Sequence, residues 1–165
     1  MGVKIKAICA SALPCIATGI ACAAEPQLPV MKEGLWESHT QQTIENKKVE
    51  SSVKICQTHA IEKSMKSAGE EMRKTNQCTD VITQQSANSF TSESRCAKGA
   101  LSGSVSKTTM TYQGDTASHM EMHMTHGQSE SVTIIDSRYL GSCPADMKPG
   151  DAVMPDGTKI NMGGK

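Results

Sequence analysis

Between Lys48 and Ile55 the two parities of the chain differ sharply. Val49, Ser51, Val53 and Ile55 stand on one, and Lys48, Glu50, Ser52 and Lys54 on the other. A period of two with one charged face predicts a β-strand. Just before it, Gly34-Leu35-Trp36 opens a Thr/Gln-rich stretch to Ile44, a first strand, and Glu45-Asn46-Lys47 reads as the turn between the two. The period then changes. Ile61, Met65, Ala68 and Met72 recur at i, i+4, i+7 and i+11, one apolar stripe, and Thr58 is placed to cap it. This predicts a helix from His59 to about Lys74.

From Gln77 the pattern returns to strands. Cys78–Gln85 and Ser89–Cys96 flank Ser86-Ala87-Asn88, which reads as a three-residue hairpin loop with Asn88 in the left-handed region. Cys78 and Cys96 are equidistant from Ala87, so they should face each other and form a disulfide, leaving Cys56 for Cys143. Leu101–Tyr112 and Ala117–His126 flank Gly114-Asp115, and Gly127-Gln128 turns the chain into Ser129–Leu140. After Cys143 come Pro144, Pro149-Gly150, Pro155 and Asp156-Gly157, a density of breakers that predicts mostly loop. The expected fold is mainly β: an antiparallel meander sheet of about seven strands, one helix after the second strand, and two disulfides.

The N-terminus has a different character. Lys4 and Lys6 precede an apolar run from Ala7 that ends in Ala21-Cys22-Ala23-Ala24. A positive start, a short apolar middle and a small-residue end mark residues 1–24 as a secretory signal peptide. The run is interrupted by Ser11, Pro14, Thr18 and Gly19 and falls short of the roughly 20 apolar residues a membrane span needs. A lipid anchor at Cys22 is disfavoured, because Gly19 stands where a lipoprotein signal usually has Leu. The expected organisation is then a leader over 1–24, a lead-in over 25–33, a β-rich domain over 34–143 and a loop-rich tail over 144–165. The mature protein is expected free in the periplasm.

Composition narrows the function classes. The chain carries 17 basic and 17 acidic residues, and losing Lys4 and Lys6 with the leader leaves it slightly acidic. That argues against a nucleic-acid binder, which would normally show a basic patch, and removes the case for a polybasic membrane surface. Trp36, Phe90, Tyr112 and Tyr139 are the four aromatics, so the core is thin and covalent help is expected. Cys9, Cys15 and Cys22 belong to the leader. Cys56, Cys78, Cys96 and Cys143 remain, an even set without any Cys-x-x-Cys spacing, which reads as two bridges in an oxidising compartment rather than as a zinc site.

One segment draws the eye chemically: His119-Met120-Glu121-Met122-His123-Met124-Thr125-His126. Thioethers favour Cu(I), and an exported protein with such a run raises copper or silver binding through Met120, Met122, Met124, His119, His123 and His126. On a strand, alternate residues lie roughly 7 Å apart, so one strand alone closes no compact site and ligands would have to come from facing strands. Met110 or Tyr112 could face either stripe, because one residue of register changes the parity. The plainer reading makes the three methionines the apolar face of the sheet, with no cofactor, and His119 and His123 surface residues beside Glu121. Catalytic patterns are weak. All four mature cysteines are expected to be bonded. Glu70-Glu71 reads as a solvated helix face, and His39 and His59 are isolated. Asp146, Asp151 and Asp156 recur every five residues without the calcium-loop pattern, as turn-forming aspartates do.

Several marks recur in an order of their own: Gly34-Leu35-Trp36-Glu37, Cys56, Cys78, Cys96, Tyr112-Gln113-Gly114-Asp115, the Met-x-Met strand, and Tyr139-Leu140-Gly141-Ser142-Cys143. Together they resemble the small exported bacterial proteins of domain-of-unknown-function family 3617, over roughly Met31 to Lys148. The resemblance implies an exported, β-rich domain, found mainly in Gram-negative bacteria, with no assigned activity. It also implies that Met-x-Met strands belong to the fold. The expected role is a non-catalytic envelope binding or accessory module for an unknown ligand or envelope protein. Copper or silver handling is the alternative, and an enzyme of unknown type a third.

Overall fold

The computed structural model describes residues 29–162; the leader expected over 1–24 lies outside them. The described residues form one antiparallel sheet of nine strands and one helix. In chain order these are β1 (Gly34–Ile44), β2 (Lys47–Gln57), α1 (His59–Thr75), β3 (Cys78–Gln85) and β4 (Ser89–Cys96). A single 3₁₀ turn follows at Gly99–Leu101, and then β5 (Ser104–Gln113), β6 (Ala117–His126), β7 (Ser129–Gly141), β8 (Asp151–Val153) and β9 (Lys159–Asn161). The spatial order is β3-β4-β5-β6-β7-β1-β2-β8-β9. The middle of the chain is thus a plain meander, and the β1–β2 hairpin docks on its last strand.

The count of nine exceeds the seven expected because the tail adds β8 and β9. Residues Lys54 and Ile55 of β2 pair with Val153 and Ala152 of β8. Ala152 is fully buried. Ala152-Val153-Met154 is too short a run to show a period, so only the partner strand reveals it.

Turn chemistry sets the registers. Glu45 and Asn46 both have positive φ (48° and 66°), the type I′ geometry that matches the twist of a two-residue hairpin, and Ile44 pairs with Lys47. The β3–β4 turn differs from expectation. Asn88 is not among the residues with positive φ. Instead the Ser86 hydroxyl accepts from the Ser89 amide at 3.1 Å, and the backbone closes from Ser86 N–H to the Ser89 carbonyl at 2.8 Å. A bulge between Ile82 and Gln84 absorbs the odd residue, so Cys78 still faces Cys96 and the two are bonded. Cys56 is bonded to Cys143, clamping the end of β2 across β1 to the chain leaving β7.

The core sits at one end of the sheet. Met31, Trp36, Ile55 and Ala152 are buried together, with Val53, Tyr112 and Tyr139 packed against them. The Trp36 indole donates to the Lys32 carbonyl at 2.8 Å. Gly34 opens β1 at φ 147°, and a Cβ there would stand 2.3 Å from the Gly141 carbonyl oxygen, so only glycine lets β1 pass β7 at this point. Lys32 reaches the β5–β6 turn, its amide donating to the Asp115 carbonyl at 3.1 Å. The segments around Trp36, Tyr112–Asp115 and Tyr139–Cys143 therefore form one packed corner.

Helix α1 carries the chain from β2 to β3, from the seventh position of the sheet order to the first. Seventeen residues make about 25 Å of helix, close to the ~29 Å of six strand spacings. It is pinned at its ends. The Thr58 hydroxyl accepts from the Ile61 amide, and the His59 amide donates to Glu33. At the far end the buried Asn76 donates to the Met72 carbonyl and accepts from the Leu101 amide. Of the expected stripe, Ile61 is buried but Met65 and Met72 are 47% and 54% exposed. Fastening at the caps, rather than burial of the whole stripe, holds this helix.

Candidate functional site

Strand pairing sorts side chains onto two faces. One carries Trp36, Ile55, Tyr112 and Tyr139 and is the core face. The other is polar, and its side chains stand in rows across β2, β1, β7 and β6. One row reads Lys54, Glu37, Arg138, Ala117; the next reads Ser52, His39, Asp136, His119. In the first, an acid lies between two cations. In the second, an acid lies between two imidazoles.

The contacts follow this plan. Arg138 grips Glu37 through Nε at 2.8 Å and Nη2 at 2.6 Å, and Lys54 Nζ stands 3.9 Å from the same carboxylate. The Arg138 bond is the main cause holding the Glu37 carboxyl below its ordinary range, with Lys54 and His39 adding attraction. His119 Nδ1 lies 2.7 Å from Asp136, and His39 Nδ1 lies 2.9 Å from the Ser52 hydroxyl. Farther along β6, His123 Nε2 pairs with Glu121 at 2.6 Å.

Hollows follow this face. One of about 460 Å³ is lined by Glu37, His39, Gln113, His119, Asp136 and Arg138, among others. One of about 300 Å³ shares Glu37 and Ser52 with it and extends to Met154 and Pro155 in the tail. One of about 380 Å³ is lined by Lys107, Thr109, Glu121 and His123. Together they make a polar trough of mixed charge.

Ser52, His39 and Glu50 have the composition of a nucleophile, base and acid but not the geometry. Glu50 stands 4.0 Å from His39 Nε2, beyond hydrogen-bond reach, and its carboxyl is held low chiefly by Lys48. These three residues therefore form no continuous hydrogen-bonded relay.

The sequence-derived metal candidates separate. Met120, Met122 and Met124 lie on the core face, half-buried, with Met110 directly opposite Met120. His119 and His123 point into the polar trough. His126 shares the methionine face but is tied by Nε2 to the Ser102 carbonyl at 3.1 Å. Among the described residues no group of three or more His, Cys, Asp or Glu is placed to hold a metal ion. His59 serves the fold, reaching the Met31 carbonyl at 3.0 Å. Asp146 pairs with Lys159, Asp151 accepts from the Lys148 amide and Asn161, and Asp156 accepts from the Thr158 amide, so the three aspartates shape the tail.

His39, Glu37, Asp136 and Arg138 were not legible as a group. Alternation along β1 puts Glu37 and His39 on one face, but joining them to Arg138 and Asp136 requires the β1–β7 pairing between distant parts of the chain. Among the described residues no helix is long and apolar enough to cross a membrane. A family model described as "Protein of unknown function (DUF3617)" matches residues 31–143. No curated protein and no solved structure matches the chain.

Proposed function

The chain belongs to the DUF3617 family of proteins of unknown function, and from that premise we propose that it is a non-catalytic binding module of the bacterial envelope. Its polar trough takes a hydrophilic partner that carries charge. The observation behind this reading is that Glu37 and Arg138 of one row and His39, Asp136 and His119 of the next wall one hollow of about 460 Å³, with Lys54 lining the adjoining hollow of about 300 Å³. The Arg138 side chain is 71% exposed, so its guanidinium can exchange Glu37 for a carboxylate or phosphate of the partner with bidentate geometry. A rim of paired charges also favours orientation and selectivity over raw affinity.

Export supports the location. The leader pattern directs the chain across the inner membrane, and two disulfides fit the oxidising periplasm. Gly19 at the lipoprotein position favours a protein free of lipid at Cys22.

Photo-crosslinking from single positions in the native envelope tests the reading. A reactive residue at Gln113 or Ser52, inside the trough, should yield a discrete adduct that Arg138→Ala abolishes. The same probe at Val49, exposed on the opposite face, should not. Adducts of equal yield from Val49, or a turnover reaction lost on one point change, would overturn the proposal.

A further inference from the structure

The methionines of the core face lie outside the core. The buried cluster is Met31, Trp36, Ile55 and Ala152, whereas Met110, Met120, Met122 and Met124 are half-buried along β5 and β6. Half-buried strand positions favour β-branched and aromatic residues, as Ile135 on the neighbouring strand shows. A run of flexible, unbranched thioethers where stiff side chains fit better needs another reason.

Register supplies one. Met110 of β5 and Met120 of β6 are direct cross-strand partners. Their Cβ atoms are about 5 Å apart, and Met122 is the next residue on the same face, about 7 Å along the strand. Three rotatable bonds per side chain let three sulfurs reach one point above these strands. Their neighbours within the sheet are neutral: Phe90 and Ile135 flank the first pair, and Ser92, Thr108 and Thr133 share the row of Met122.

We propose that Met110, Met120 and Met122 form a thioether site for Cu(I). Thioethers are neutral, soft donors, and these rows offer no carboxylate, imidazole or thiolate. A hard cation or Zn²⁺ finds none of its usual ligands there, whereas a soft monovalent ion does. His119 and His123 take no part, because they lie on the other face of the sheet. The site is independent of the trough reading, and either can fail without the other.

The test uses the disulfide-intact mature protein under nitrogen, with Cu(I) delivered as its bicinchoninate complex. The protein should withdraw one equivalent of Cu(I). The triple variant Met110→Leu/Met120→Leu/Met122→Leu should bind about tenfold more weakly or worse. The double variant His119→Gln/His123→Gln should bind as the parent does. Unchanged affinity in the triple variant, or loss in the histidine variant, overturns the site. Should the leucine variant fold poorly, ¹³C-methyl spectra of the parent protein decide the matter. On addition of Ag(I) the methyls of Met110, Met120 and Met122 should shift and those of Met65 and Met72 should not. Any other pattern of shifts refutes the assignment.

Discussion

Trp36 meets Tyr139 edge to face, with ring centroids 5.7 Å apart and planes at 64°. The contact joins the first strand to the seventh and is the centre of a small core. Trp36 is 3% exposed. Trp36→Ala should cost about 3–5 kcal/mol, a large share of the stability of a domain this size. Urea unfolding followed by far-UV circular dichroism measures it. Tyr139→Leu should cost less, since it keeps apolar volume and loses the ring geometry.

Gly34 and Gly114 both hold positive φ but in different surroundings. A Cβ at Gly34 would meet the Gly141 carbonyl oxygen, while one at Gly114 meets nothing within 4 Å. Gly114→Ala should cost about 1–2 kcal/mol from backbone conformation alone. Gly34→Ala should cost clearly more, because β1 must also move away from β7. The difference between the two unfolding midpoints is the readout.

The two disulfides close very different lengths of chain, 87 residues for Cys56–Cys143 and 18 for Cys78–Cys96. Chain entropy predicts that the long bridge stabilises by about 1–1.5 kcal/mol more than the short one. Paired Cys→Ser variants, compared by equilibrium unfolding without reductant, give that difference directly.

Stability should fall on both sides of neutral pH. Glu37, Glu50, Asp146, Asp151 and Asp156 all have carboxyls held below their ordinary values, chiefly by hydrogen bonds from Arg138, Lys48, Lys159, Asn161 and Thr158 respectively. The unfolded chain then binds more protons than the native one in acid. This stabilisation is present above the ordinary carboxylate range and is lost as pH falls through the depressed values. Burial, and then Glu62, raises the Tyr112 phenol above 10.0, so the unfolded chain loses its proton first in alkali and stability declines above that pH. Thermal midpoints from pH 3 to 11 should trace both slopes, and Lys159→Ala should flatten part of the acid one.

Local signals were enough for the hairpins. The alternation in β2, the cap at Thr58 and the turns at Glu45-Asn46 and Gly127-Gln128 are short-range physics, and the elements appear where they predict. The facing of Cys78 and Cys96 came out as expected although its turn did not, because the bulge near Thr83 compensates for the shorter loop. What could not be read was contact between distant segments. The docking of β1 on β7 builds both the Trp36 corner and the trough, and nothing within either strand announces it. The side taken by Met110 depended on one residue of register, which only the pairing of β5 with β6 fixes. The residues that carried the family resemblance gather largely at that corner, around Trp36, Asp115, Tyr139 and Cys143. They report how the sheet is assembled, and so they did not point to the trough.

The bridge from Cys56 to Cys143 encloses the one from Cys78 to Cys96. A chain threaded into an oxidising compartment from its N-terminus presents Cys56 first and Cys78 next. Thiols joined in order of arrival would link that pair, which the finished protein keeps apart. Under the export proposed above, maturation depends either on Cys56 staying reduced until the end of β7 has crossed, or on a catalyst of disulfide exchange that undoes the early bond. The yield of this protein should thus follow the host's isomerase capacity more closely than its oxidase capacity.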